Sequence, residues 1–211
     1  MPATALDPKT ALVVIDLQKG LAAYPTVHPM PGVIANTARL AAGFRRAGLP
    51  VVLVTAAFSP DGGDRVRVRS DAPARAIPMT ADFSELVPEL AGQPGDILIT
   101  KRQPNAFYGT ELDLQLRRRQ MTGIVLVGVS TSNGVDGTAR AAHERAYNIT
   151  FASDAISDGD AATHEHVMKK VFPRLGEIDT TDAVLALLAR NALSIGAAAI
   201  RGERPGRGSE A

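Results

Sequence analysis

The stretch Gly123-Ile-Val-Leu-Val-Gly-Val-Ser-Thr-Ser-Asn-Gly134 changes from apolar to small and polar within a dozen residues. Its first half, Gly123–Gly128, is apolar without alternation and has the length of a strand. That pattern marks a strand buried on both faces, as in a parallel sheet. Its second half leads into a helical pattern from about Ser132 to Tyr147. Val135, Ala139, Ala142 and Ala146 fall on one face of that helix, and Asp136, Arg140 and Glu144 on another at i,i+4 spacing. A helix start reached through so polar a turn has two readings. Ser132 or Asn133 caps the helix, or the free N–H groups there form an anion or oxyanion site.

The same strand-like pattern recurs at Ala11–Asp16, Pro50–Thr55, Ile97–Thr100 and Asn148–Ser153. Helical patterns lie between these runs. Gly32–Ala47 places Val33, Thr37, Leu40, Ala41 and Phe44 on one face and stops at Arg45, Arg46 and Gly48. Thr110 and Asp113 are capping candidates for a helix to about Arg119, and two more helices are expected near Gly159–Lys170 and Thr181–Arg190. Alternating strands and helices predict an α/β fold with helices on both faces of a parallel sheet. One domain is expected over residues 1–195, followed by a flexible tail rich in Gly, Arg and Glu over residues 196–211. Leu21–Pro31, with Tyr24 and His28, and Ser59–Pro78, with Arg65, Arg67, Arg69 and Arg75, read as loops. Ligands of such sheets sit beyond the carboxyl ends of the strands, so function is sought at Asp16, Thr55, Lys101 and Gly128–Gly134.

The chain has 211 residues, 45% hydrophobic and 21% charged, enough for a full core. A net charge of +1 gives no case for nucleic acid or membrane partners, and the apolar runs are too short to span a bilayer. Cysteine is absent, which excludes disulfides, thiolate metal sites and a cysteine nucleophile. Lack of cysteine fits a cytoplasmic location, and Met1–Pro8 shows no signal peptide pattern.

Three strand ends carry polar groups. Asp16 closes Val-Val-Ile-Asp either as a cap for backbone N–H groups or as a functional acid. Lys101 closes Ile-Leu-Ile-Thr-Lys, where a lysine ordinarily leaves the core for solvent. The turn Ser130-Thr131-Ser132 is the third. Convergence of all three on one sheet edge points to an active site. His164 and His166 sit at i and i+2 of a helix and face different ways, so no metal site is expected from them. His143, His164 and His166 read as surface residues, and His28 is a candidate for substrate contact.

In order, Ala11-Leu-Val-Val-Ile-Asp-Leu-Gln18, Thr100-Lys-Arg-Gln-Pro-Asn-Ala-Phe-Tyr-Gly-Thr110, Gly128-Val-Ser-Thr-Ser-Asn-Gly-Val-Asp-Gly-Thr-Ala-Arg140 and Ala146-Tyr-Asn-Ile-Thr-Phe-Ala-Ser-Asp-Ala155 resemble the isochorismatase-like superfamily of cysteine hydrolases. That family includes isochorismatase, nicotinamidase and N-carbamoyl amidohydrolases, and the likeness covers roughly residues 8–190. It implies a three-layer α-β-α sandwich around a mostly parallel six-stranded sheet of Rossmann-like topology.

The resemblance also implies site residues. In thiol members an aspartate, a lysine and a cysteine form the triad. Asp16 and Lys101 match the first two, and Gly134 stands where the cysteine would be. A cis peptide is implied at Val129–Ser130. Gln18, Ser130, Thr131, Asn133, Tyr24 and Phe107 are expected to bind substrate. Nicotinamidases carry a metal-binding Asp-x-His after the second strand. Here that segment reads Val54-Thr-Ala-Ala-Phe-Ser-Pro60, so no metal and no cofactor are expected.

Glycine cannot form an acyl-enzyme. True isochorismatases also lack the cysteine and cleave a vinyl ether to pyruvate and 2,3-dihydroxy-2,3-dihydrobenzoate. On that model Asp16 is the general acid, Lys101 binds a substrate carboxylate or orients Asp16, and Gly134 leaves room for the substrate. The Ser-Thr-Ser turn, however, matches the amidohydrolase branch. Two alternatives therefore stay open: a non-catalytic binding protein, and an amidohydrolase using Ser or activated water. Arg65, Arg67, Arg69 and Arg102 are candidates for counter-charges to a small-molecule dicarboxylate, and an alternating Arg run reads otherwise as a solvated face or a subunit contact. The family likeness further implies a homodimer or homotetramer.

Overall fold

The computed structural model describes residues 2–71 and 80–200. Its elements are β1 (Thr10–Ile15), α1 (Lys19–Ala22), α2 (Met30–Arg46), β2 (Val51–Ala56), β3 (Ile97–Lys101), α3 (Leu112–Arg118), β4 (Gly123–Val129), α4 (Asp136–Glu144), β5 (Asn148–Ser157), α5 (Ala161–His166), β6 (Glu177–Asp179) and α6 (Thr181–Ile200). The strands form one six-stranded sheet in the order β3-β2-β1-β4-β5-β6, every pairing parallel. The order reverses between β1 and β4, and at such a switch point a crevice opens beyond the carboxyl ends of the strands.

The unbroken apolar strands β1 and β4 have the burial expected of them, whereas edge strand β3 alternates, with Leu98 and Thr100 exposed. Every residue of β1 and β4 is buried. Leu12, Val14, Val125 and Val127 face α2 and α6, where Val33, Leu40, Phe44 and Val184 meet them. Val13, Ile15, Ile124 and Leu126 face α3 and α4, where Leu112, Leu116, Val135 and Ala139 meet them. The result is three layers with a core on each side of the sheet. No helix among the described residues is long and apolar enough to cross a membrane.

Several elements depart from the sequence reading. Lys19–Ala22 forms a helical turn inside the expected Leu21–Pro31 loop. The helix expected from Ser132 begins as a wider π-type turn, Thr131–Val135, and becomes α-helical only at Asp136. Ala146 is exposed, with a φ of 61° past the end of α4, so it does not share the buried alanine face. β6 is short and only half-buried, too weak a pattern to stand out. The last helix runs to Ile200, past the expected start of the tail at 196. Residues 201–211, and Arg75 with the rest of 72–79, lie outside the described residues.

β5 extends to Ser157, four residues beyond its expected end. The added length comes with a shift of register against β4: Leu126 pairs with Phe151, but Gly128 pairs with Ile156. Gly128 is where the backbone demands glycine. Its φ is 115°, and a Cβ there would lie 2.0 Å from the Ile15 carbonyl oxygen. Gly128→Ala is therefore expected to cost more than about 3 kcal/mol. Gly32, in the first turn of α2, has nothing within 4 Å of an added Cβ, and its φ is not positive. Gly32→Ala is expected to stabilise by about 0.4–1 kcal/mol. Urea denaturation of the two variants against wild type measures both effects.

Candidate active site

Three chain segments meet at the carboxyl end of β1. Asp16 follows the last residue of that strand and adopts a φ of 56°. This left-handed conformation costs an L-residue about 1–2 kcal/mol, and aspartate is among the few side chains that adopt it. Its N–H still donates to the Val54 carbonyl at 2.9 Å, so pairing with β2 continues through the turn. Lys101 ends β3, two strands away, in register with Ala56. The alanine presents only a methyl group, and the lysine stem crosses β2 to place Nζ 2.7 Å from Asp16 Oδ2. Both side chains are more than nine-tenths buried. The ordinary expectation for Lys101, escape to solvent, does not hold.

Asp16 Oδ2 is held by Lys101, while Oδ1 is buried without a hydrogen-bond partner. Burial pushes the carboxyl above its ordinary value of 3.8, and the opposing pull of the Lys101 ammonium is smaller. Protonation at Oδ1 removes the buried negative charge and turns the unpartnered acceptor into an O–H donor.

The third segment is the turn after β4. The Val129–Ser130 peptide is cis. Gly134 lies against the carboxyl: a Cβ would sit 3.1 Å from Asp16 Oδ2, 3.0 Å from Ile15 Cγ2 and 3.1 Å from the Val129 carbonyl oxygen. Side chains larger than hydrogen fit there only if these neighbours give way. Asp158, just past the end of β5, holds the turn, its Oδ2 accepting from both the Ser132 N–H and the Ser132 hydroxyl at 2.7 Å.

Of the expected residues, Asp16, Lys101 and Gly134 come together. Ser130 and Tyr24 line a neighbouring pocket with Leu21, Thr26, Met30 and Gly159. Asn133 is exposed on the turn. Three expected substrate contacts are otherwise engaged. The Thr131 hydroxyl is fully buried and hydrogen-bonded to His164 Nδ1 at 2.7 Å. Phe107 lies in the core, its ring stacked on Tyr147 at 5.9 Å with the Arg145 guanidinium over it at 5.0 Å. Gln18 is fully buried, its amide bonded to the backbone of Ala56 and Phe83.

His164 corrects the surface reading given to it. α5 starts directly after β5 and turns this imidazole inward, where Thr131 provides the partner a buried ring requires. Its neighbour two residues on, His166, is exposed, as is His143. Burial and the nearby His28 ring push His164 below its ordinary pKa, with Asp158 opposing. His28 meets that ring edge-on at 5.0 Å and donates from Nδ1 to the Ile156 carbonyl. Sequence reasoning missed His164 and Asp158 because both depend on the extended end of β5. The apolar pair Ala155–Ile156 after Ser153–Asp154 was the available signal. Arg102, just after β3, pairs with Asp64 of the arginine-rich loop at 2.9 Å; in that loop Arg65 lies over Phe58 and Arg67 donates to the Gly62 carbonyl.

The sequence and the fold have counterparts in known proteins. A family model for the isochorismatase domain matches residues 10–183. The isochorismatase family protein YwoC of Bacillus subtilis is 42% identical over 179 residues, 84% of this chain and 93% of YwoC. The structure of an isochorismatase family protein from Burkholderia thailandensis superposes with a TM-score of 0.84 at 41% identity, over 88% of this chain and 98% of that one. N-carbamoylsarcosine amidase from Thermoplasma acidophilum superposes with a TM-score of 0.67 at 28% identity, over 82% of this chain and 97% of that one. With a matching domain model over most of its length and relatives above 40% identity, this chain belongs to the isochorismatase family of hydrolases.

Proposed function

We propose that this hydrolase cleaves the vinyl ether of a small carboxylated substrate, with isochorismate as the type, using Asp16 as general acid and forming no covalent enzyme intermediate. The observation that carries this reading is the Asp16 carboxyl itself: dry, anchored through Oδ2 on Lys101, and with Oδ1 unpartnered. Gly134 takes the nucleophile's place in the family pattern, and the chain contains no cysteine. Of the nearby hydroxyls, Thr131 is fully buried against His164 and Ser132 donates to Asp158.

The chemistry needs only a proton and water. Asp16 transfers its proton to the methylene carbon of the enol ether, and the electron pair of the double bond forms the new C–H bond. An oxocarbenium ion results, water adds to it, and the proton that water loses returns to Asp16. The hemiketal so formed collapses as its hydroxyl proton passes to the ether oxygen and the C–O bond breaks, leaving pyruvate and the ring alcohol. Lys101 fixes the carboxyl through Oδ2. We further propose a homodimer or homotetramer, supported by Leu98 exposed on edge strand β3 and by exposed Tyr108 and Leu114.

Pyruvate release from isochorismate, coupled to lactate dehydrogenase, tests the activity. Wild type is expected to turn over, and Asp16→Asn to lose about 10²–10⁴-fold in kcat. No pyruvate above background, or full activity in Asp16→Asn, refutes the proposal. The amidohydrolase alternative instead predicts amide hydrolysis that disappears in Ser130→Ala or Ser132→Ala.

Stability carries an independent signature. Unfolded, Asp16 titrates at its ordinary 3.8; folded, it titrates higher. The folded state therefore binds the proton more tightly. The stability this group contributes is fully present below about pH 3.8 and is lost as pH rises through the folded value. Asp16→Asn has no such titration. Urea denaturation across a pH series should show the variant gaining relative to wild type as pH rises through that window. A constant difference between the two contradicts the raised carboxyl.

A further inference from the structure

We infer that Gln18 is a positioning residue for Asp16: its amide captures the Ala56 peptide and thereby governs which hydrogen bonds the Asp16 carboxyl receives. The inference rests on the reading of Asp16 as the acid. Gln18 is fully buried and makes three hydrogen bonds, none to another side chain. Oε1 accepts from the Ala56 N–H at 2.7 Å, and Nε2 donates to the Ala56 carbonyl at 3.0 Å and to the Phe83 carbonyl at 2.8 Å. Both amide hydrogens are used, so a substrate would find no donor there.

The arrangement ties three segments at the point where β1 ends. Gln18 lies two residues beyond the left-handed Asp16. The returning segment 83–87 runs antiparallel beside it, with Lys19 N–H donating to the Glu85 carbonyl, Gly20 N–H to the Phe83 carbonyl and Val87 N–H to the Leu17 carbonyl. Gln18 bonds this segment to the end of β2 and so holds the exit of β1 on both sides.

The Ala56 peptide makes the tether chemical as well as mechanical. Its N–H also faces the Asp16 carboxyl, where a hydrogen bond favours the charged form. The Ala56 N–H donates to Gln18 Oε1 at 2.7 Å, so Gln18 competes with Asp16 for one hydrogen. Among the described residues the charged group facing Asp16 is the Lys101 ammonium from β3; β2 offers Ala56, and the turn after β4 offers Gly134. Releasing the Ala56 N–H is therefore the step by which residue 18 changes the acidity of residue 16.

The test uses the full chain labelled with carboxyl-¹³C aspartate, the Asp16 resonance being assigned by its loss in Asp16→Asn. Gln18→Met keeps the length of the side chain and removes all three hydrogen bonds. Its Asp16 is expected to titrate at lower pH than in wild type. Where pyruvate is formed, kcat at neutral pH falls by about tenfold with KM little changed, as expected when a group acting in the transition state is weakened. A titration at or above the wild-type midpoint, or a rise in KM with kcat unchanged, overturns the inference in favour of packing or substrate binding. Gln18→Glu retains an acceptor for the Ala56 N–H and adds an acidic group, so its Asp16 is expected to titrate at or above wild type. A lower midpoint in Gln18→Glu overturns the inference even if Gln18→Met does not fold. If wild type forms no pyruvate, the vinyl-ether reading falls, while the carboxyl titration still decides the role of Gln18.

Discussion

The contact between Lys101 Nζ and Asp16 Oδ2, 2.7 Å long and shut away from water, is the constraint that the rest of the site accommodates. Removing two ionisable groups from water costs several kcal/mol for each that stays charged. Protonation of Asp16 removes its share of that cost, against the loss of its attraction to the Lys101 ammonium, which is the smaller effect. The surroundings favour this outcome, since the second Asp16 oxygen has no hydrogen-bond partner and the Ala56 N–H donates to Gln18. Space is set by small residues: Ala56 lets the lysine cross β2, and Gly134 lets the turn after β4 close to van der Waals range of the carboxylate. Gly128 brings β4 against the Ile15 carbonyl, immediately before the acid.

A second layer holds this geometry from the far side. The end of β5 serves both the turn and the loop that covers it. Asp158 fixes Ser132 through side chain and backbone, and its carbonyl accepts from the Val27 N–H at 2.8 Å. Ser157 exchanges hydrogen bonds with the His28 backbone in both directions. His164 anchors Thr131 from α5. The hydroxyls of the Ser-Thr-Ser turn are thus largely spent on structure, which bears on why the turn can resemble that of the amidohydrolase branch while the chemistry proposed here makes no use of them.

Much of this was legible in the sequence because it depends on local pattern. Apolar runs without alternation located five of the six strands. Parallel topology then brought Asp16, Lys101 and the turn after β4 to one edge. What could not be read depends on contacts between segments distant in the chain. Gln18 looks like a substrate ligand until segment 83–87 is known to fold back beside it. Phe107 shares a motif with Lys101 but lies in the core beneath Tyr147. The register shift that lengthens β5 leaves only a faint mark in composition, and His164 and Asp158 were hidden by it. β6 has three half-buried residues and no period from which to recognise it.

The protonation state of Asp16 at neutral pH is the central claim, and infrared difference spectroscopy reads it without substrate. The spectrum of wild type minus Asp16→Asn is predicted to contain the C=O stretch of a protonated carboxylic acid that disappears on raising the pH. A difference spectrum at neutral pH holding only the symmetric and antisymmetric carboxylate bands would contradict the account: Asp16 would then be an ordinary ion-pair partner of Lys101 and no proton donor.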